Sequence, residues 1–243
     1  MMTPRRWVIV LVVILAGALG YALGRPIWYP AYAALRGKRT VADAVRAIGP
    51  AGEVRLRPHF REAGVAYPPR RVALLALKAE KQLEVWAEKE DRWVYIHTYP
   101  ILRASGHAGP KLIEGDCQVP EGLYRVIGLN PNSSFHLSIE LDYPNAFDRR
   151  KAAEDGRTNL GGDIFIHGGS GSLGCLAMGD PVIEELFAMI RHVGMRNVKV
   201  VIVPNDIRIM EPANLTEDSP PWVKELNEVL AREIAPFGRA NGG

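Results

Sequence analysis

Between Gly161 and Asp180 the chain reads GGDIFIHGGSGSLGCLAMGD, an order of residue types that leaves few local folds open. Residues 163–167 alternate Asp, Ile, Phe, Ile and His, the period of a strand that buries Ile164 and Ile166 on one face and releases His167 at its end on the other. The next seven residues, 168–174, hold four glycines and two serines, so the backbone is free to fold back. Beyond Cys175, Asp180 is placed to cap a helix with Pro181 at its first position. Val182, Ile183, Leu186, Phe187, Ile190 and Val193 give that helix an apolar face, and Gly194 stops it. The stretch predicts strand, turn and helix in succession, with a histidine and a cysteine flanking the turn.

This placement suits an activated thiol. A free cysteine is mostly protonated at neutral pH and needs a base or a cation nearby to attack a carbonyl carbon. The turn brings Cys175 within hydrogen-bond reach of His167, and the backbone N–H groups around Gly174 and Cys175 form a nest for an oxyanion. A buried, inert cysteine beside a hydrogen-bonded histidine on the same connection gives the same pattern, so the residues alone leave both readings open. No metal is expected: one His and one Cys eight apart match no common zinc spacing, and His97, His107 and His136 form no paired arrangement with them.

The remaining pattern is dense in short strands. Residues 72–77, 83–87, 93–96, 122–127, 135–141, 163–167 and 198–203 are rich in aliphatic and aromatic side chains and separated by charged turns. With one main helix and no alternation of helix and strand, the expected fold is mainly β with few helices, a mixed β-sandwich-like domain rather than a parallel α/β sheet. At 243 residues and 47% hydrophobic, the chain builds one ordinary core with extensions. Its net charge of +3 is scattered, with no basic stripe, which argues against nucleic acid.

The ends read differently. Arg5 and Arg6 precede residues 7–23, which carry no charge, so 1–24 is expected to be a signal peptide or, by preference, an N-terminal membrane anchor that sends the remainder outward. Residues 25–54 read as a linker and short helix, capped by Thr40 with Val41, Val45 and Ile48 on one side, and a poorly patterned segment follows Pro50 as far as Tyr67. In the C-terminal extension, 211–243, a helix after Pro220 sets Trp222, Leu226, Val229 and Leu230 on one side. Two cysteines, Cys117 and Cys175, make no disulfide framework.

The string from Ile166 to Asp180 resembles the motif of the L,D-transpeptidase (YkuD) superfamily, in the short-spaced form of its YafK-like branch. Other segments resemble that branch in its order: GPKL at 109–112, GD at 115–116, PEG at 120–122, HLS at 136–138, and YPN at 143–145 followed by Asp148 and Arg149. So does the upstream run 60–86, with YPP at 67–69 and LK at 77–78, and the likeness covers 55–210. The resemblance implies a cysteine acyl-transfer enzyme acting on the peptide stems of bacterial peptidoglycan, on the periplasmic side of the cell envelope, without a cofactor. It makes Cys175 the nucleophile and His167 the general base. Ser172 and Gly174 belong to the family's SxGC turn, whose amides stabilise the tetrahedral intermediate; Ser172 either supports that chemistry or hydrogen-bonds the turn. Many members carry an arginine shortly after the cysteine, where this chain has Leu176, Ala177 and Met178, so the acceptor is left open. Transpeptidation, hydrolysis that trims stems or releases wall-linked protein, and a silent wall-binding module are the resulting alternatives. The segment 142–162 exceeds a hairpin connection, and Tyr143, Asn145 and Arg149 within it are expected to contact the stem peptide as a lid, unless Arg149 pairs with Asp148 or Asp142. His136 and Gly168 complete the expected substrate side, His136 from a strand.

Overall fold

Strand β1 (Val72–Leu77) is buried at every residue, because it is paired on both edges and covered on both faces. It runs antiparallel to β2 (Gln82–Lys89) and parallel to β9 (Val198–Val203), with Val72 opposite Val198 and Leu77 opposite Val203. Its alternate residues enter two cores. Val72, Leu74 and Ala76 join the larger one, while Ala73, Leu75 and Leu77 join a smaller one on the opposite face. In this computed structural model residues 37–217 and 219–238 are described, with Val12 alone before them. The expected signal or anchor segment therefore lies outside the described residues, and among those described no helix is long and apolar enough to cross a membrane.

The protein is mainly β. Among the described residues one curled sheet of nine strands has the order β3-β2-β1-β9-β5-β6-β7-β8-β4, completed by β3 (Arg92–Pro100), β4 (Arg103–Ala104), β5 (Gly122–Asn130), β6 (Ser138–Leu141), β7 (Phe165–His167) and β8 (Leu176–Ala177). Helices α1 (Val41–Glu62) and α3 (Asp180–Val193) cover the larger core, and α2 (Ala146–Glu154) precedes β7. Helix α4 (Val223–Ile234) closes the smaller core with Leu226, Leu230 and Ile234, and the Phe237 ring beyond it packs against Trp86 and Trp93.

Several expected boundaries move, each for a local reason. Helix α1 starts as expected, with Thr40 and Asp43 forming a capping box, but it runs on through Pro50 and Pro58 to Glu62. Proline removes a helical hydrogen bond, and here contacts with α3 offset that loss. A Cβ on Gly52 would lie 3.3 Å from the Glu184 carbonyl oxygen, Arg55 bonds Glu184 and Glu185, and Leu56 and Phe60 are buried. Strand β6 begins at Ser138 because His136 sits at φ 75°, and β7 begins at Phe165 because Asp163 sits at φ 55°; neither angle fits a strand. The α3 cap is Gly179, and Asp180 occupies the first helical turn, where its Oδ1 accepts the Gly169 N–H at 2.8 Å. That bond ties the glycine turn to the helix.

Candidate active site

The parallel pairing of β7 with β8 builds the site. Ile166 faces Leu176 and His167 faces Ala177, so continuing the register one residue back sets Cys175 beside Phe165. Cys175 and His167 therefore project from the same side of the pair, two residues apart along it. The Phe165 N–H reaches Cys175 Sγ at 3.4 Å, and the thiol points to the Asp163 carbonyl at 3.6 Å. Among the described residues no hydrogen bond joins Sγ to His167.

His167 is buried and its tautomer is defined. Nδ1 lies 2.6 Å from the Gly168 carbonyl oxygen; a carbonyl only accepts, so Nδ1 carries the proton and Nε2 keeps its lone pair. The Phe135 ring covers the imidazole at a centroid distance of 4.5 Å. Burial lowers the His167 pKa, opposed by the Gly168 carbonyl. Burial raises the Cys175 thiol pKa, opposed by the Phe165 N–H, reinforced by Asp163 and opposed by Lys111. Both shifts favour a resting pair of neutral thiol and neutral imidazole.

The turn itself is closed by hydroxyls. Ser172 Oγ accepts the Cys175 N–H at 3.0 Å and donates to the Cys175 carbonyl at 2.5 Å, which ties the turn. The Gly174 N–H donates to Ser105 Oγ at 2.6 Å, and Gly174 holds φ 99°, a left-handed angle suited to glycine. The two amides expected to form an open nest are thus both engaged. Gly168 is enclosed rather than open to a cleft: an added Cβ would fall 2.5 Å from the Phe135 carbonyl oxygen and 2.6 Å from Asp180 Oδ1.

The other expected site residues lie in separate contacts. His136 is on the β5–β6 connection instead of a strand, and its Nε2 meets Glu184 Oε1 of α3 at 2.9 Å. Tyr143 is buried, with its hydroxyl donating to the Leu160 carbonyl at 3.2 Å. Asn145 caps α2: its Oδ1 accepts from the Phe147 and Asp148 N–H groups, and its Nδ2 donates to the Leu123 carbonyl. Arg149 bonds the Pro144 carbonyl within the same segment. Ser105 and Asp163 at the turn and the thiol, Phe135 on His167, and Lys111 through its charge also surround the pair, and no local sequence pattern singles them out. Lys111 lies within the GPKL string, and its buried ammonium is held by Asp116 Oδ1 at 2.6 Å and the Ile113 carbonyl at 2.9 Å. Both cysteines are free thiols, and no group of three or more His, Cys, Asp or Glu suited to a metal ion occurs among the described residues.

Comparison with known proteins places this geometry in context. The YkuD family profile, described as the L,D-transpeptidase catalytic domain, matches residues 71–203. The chain is 33% identical over 138 residues to "Putative L,D-transpeptidase YafK" of Escherichia coli (strain K12), covering 55% of this chain and 54% of the relative. It thus spans about half the length of the curated relatives it matches. Among solved structures, the helical cell shape determining protein Pgp2 from Campylobacter jejuni aligns with a TM-score of 0.47 at 24% identity, over 58% of this chain and 50% of that one. Bd1075 of Bdellovibrio bacteriovorus aligns with a TM-score of 0.42 at 19% identity, over 70% and 57%.

Proposed function

Since the chain belongs to the YkuD family of L,D-transpeptidase catalytic domains, we propose that it transfers the acyl group of a peptidoglycan stem peptide through a thioester on Cys175. The observation that carries this reading is the β7–β8 pair, which presents a thiol and an imidazole with a lone pair on Nε2 from one side of the sheet. Cys175 Sγ attacks the carbonyl of an L-to-D linkage while His167 Nε2 takes the thiol proton. The imidazolium then gives that proton to the departing amine, leaving the thioester. An acceptor amine attacks the thioester in turn and restores the thiol. Burial disfavours the charged form of both groups, so in this reading the proton moves as the substrate carbonyl is engaged.

The reaction belongs outside the cytoplasm, where stem peptides are found and where the apolar segment at 7–23, preceded by Arg5 and Arg6, would direct the domain. Incubating the full chain, beside a Cys175→Ala control, with defined muropeptides and a free D-amino acid tests the proposal by mass spectrometry of the products. Cysteine-dependent exchange of the terminal residue, or cross-linked dimers, is the expected result. Cysteine-dependent cleavage without exchange would replace the acceptor amine by water and make the protein a hydrolase on the same scaffold. Identical products with and without Cys175 would overturn the cysteine mechanism and leave a wall-binding module.

A further inference from the structure

We propose that the Ser105 hydroxyl, rather than a backbone amide of the glycine turn, donates the hydrogen bond that holds the oxyanion formed at Cys175. The inference rests on the acyl-transfer reading above. Attack by a thiol on a peptide carbonyl places negative charge on the carbonyl oxygen, and a donor fixed in advance at that position stabilises the transition state. The groups around Cys175 can be examined one at a time for a proton still available to give.

The Cys175 N–H is bound to Ser172 Oγ, and the single Ser172 proton goes to the Cys175 carbonyl, so these two groups satisfy each other. The Gly174 N–H is bound to Ser105 Oγ. Two of the three Lys111 ammonium protons go to Asp116 and the Ile113 carbonyl, and Lys111 acts on Cys175 through its charge rather than through a hydrogen bond. Ser105 differs. Its oxygen accepts from Gly174, while among the described residues its own proton meets no acceptor. A hydroxyl that accepts one hydrogen bond is polarised into a stronger donor of another. The Gly174 amide therefore acts on the reaction through Ser105.

Strand register supports the placement. Strand β4 runs antiparallel to β8 with Arg103 opposite Ala177 and Ala104 opposite Leu176. The pairing ends there, and continuing the register by one residue would bring Ser105 beside Cys175, in keeping with the Gly174 N–H to Ser105 Oγ bond. Directly opposite residues of an antiparallel pair share a face. Ser105 is also half-buried and lines a cavity of about 180 Å³ with Lys81 and His107.

In the step proposed, the Sγ–C bond forms as the carbonyl π pair moves onto oxygen, and the thiol proton passes to His167 Nε2. Ser105 O–H donates to the new oxyanion and keeps its proton. The C–N bond then breaks, and the amine leaves with the proton from His167.

Two reagents separate this role from simple support of the turn. p-Nitrophenyl acetate acylates a thiol through a tetrahedral oxyanion, whereas iodoacetamide alkylates it by displacement with no oxyanion. In the full chain, Ser105→Ala should slow Cys175 acylation by about 100-fold while leaving alkylation within about twofold, and Ser105→Thr should recover most of the acylation rate. Acylation and alkylation falling together in both variants would show that Ser105 only props the turn, and acylation unchanged in Ser105→Ala would equally overturn the inference. If the unsubstituted chain were acylated no faster than Cys175→Ala, this inference and the reading beneath it would both fall. If it were acylated and Ser105→Ala had no effect, only this inference would.

Discussion

The turn from Gly168 to Cys175 and the segment from Asp142 to Gly162 lie on either side of strand β7, and both are crowded with polar groups. They use those groups in different ways. In the segment before β7, the Asn145 carboxamide and the Asp148 carboxylate form the capping box of α2, the Tyr143 hydroxyl holds the Leu160 carbonyl, Arg149 holds the Pro144 carbonyl, and Arg157 holds the Leu112 carbonyl. Each of these contacts fixes the segment to itself or to a neighbouring loop. After β7, the hydrogen bonds converge on one residue: Phe165 N–H on Cys175 Sγ, Ser172 on the Cys175 backbone, and Ser105 on the amide before it. His167 Nε2 is left with its lone pair. In the first segment the polar groups fix the fold, whereas in the second they fix a thiol and leave an imidazole nitrogen without a proton, the arrangement the proposed chemistry would use.

The contrast breaks most severely if the turn is not where the chemistry lies. His167→Asn keeps a hydrogen-bonding ring substitute but no base, and should lower kcat in the muropeptide assay by about 10²–10⁴-fold with a melting temperature close to the parent. Near-parental turnover would remove His167 from the mechanism. The resting neutral pair makes a second demand on the same residues. His167 acts as base only when unprotonated, and burial holds its pKa below the ordinary 6.5, so kcat/KM should stay high below that pH and then fall about tenfold per unit. The thiol must hold the proton that His167 later delivers, and burial keeps its pKa above the ordinary 9.0, so the alkaline limb should begin above that pH. Rapid alkylation of Cys175 by iodoacetamide at pH 5 would reveal a preformed thiolate and imidazolium instead.

A third measurement asks whether the turn also carries stability. Gly168→Ala would drive a methyl group against the Phe135 carbonyl and the Asp180 carboxylate, so the chain should lose about 1–3 kcal/mol in urea unfolding. A loss this large with the muropeptide products unchanged would show that Gly168 serves packing alone. Across β7, Asn145→Ala removes one helix cap and should cost about 1 kcal/mol in the same experiment, with acylation of Cys175 unaffected. A change in acylation would join the two regions into one site.

What was legible in the sequence follows the range of the interactions. Strand β1 could be read to the residue because a continuous apolar run, covered on both faces, has no competing period, and β9 because only Lys199 interrupts its β-branched run. The order of His167, the glycines and Cys175 is local, and it announced strand, turn and helix. Ser105 could not be found this way: it meets Gly174 across 69 residues of chain, through a two-residue strand too short to leave a pattern. Helix α2 was hidden for another reason. Its sequence AFDRRKAAE has almost no apolar face, and its formation depends on the Asn145 and Asp148 box, a signal that was present but read as a site. Helix α1 was cut short at Pro50 because a local rule against proline cannot see α3 packed alongside.

Arg149 gives the smallest effect and the finest test of the comparison. It is exposed, its guanidinium reaches back to the Pro144 carbonyl at the start of its own helix, and the strong hold on α2 comes from Asn145 and Asp148 instead. Removing it takes away one hydrogen bond at the surface, where water replaces the lost partner and little net energy changes. Arg149→Ala should therefore shift the melting temperature by no more than about 2 °C and leave KM for a muropeptide unchanged. A carboxylate of the stem peptide bound by this guanidinium would produce the opposite split, with KM raised and stability unaltered. That result would restore the segment before β7 to the substrate side and leave the division between the two regions to be drawn inside α2, at Arg149 itself.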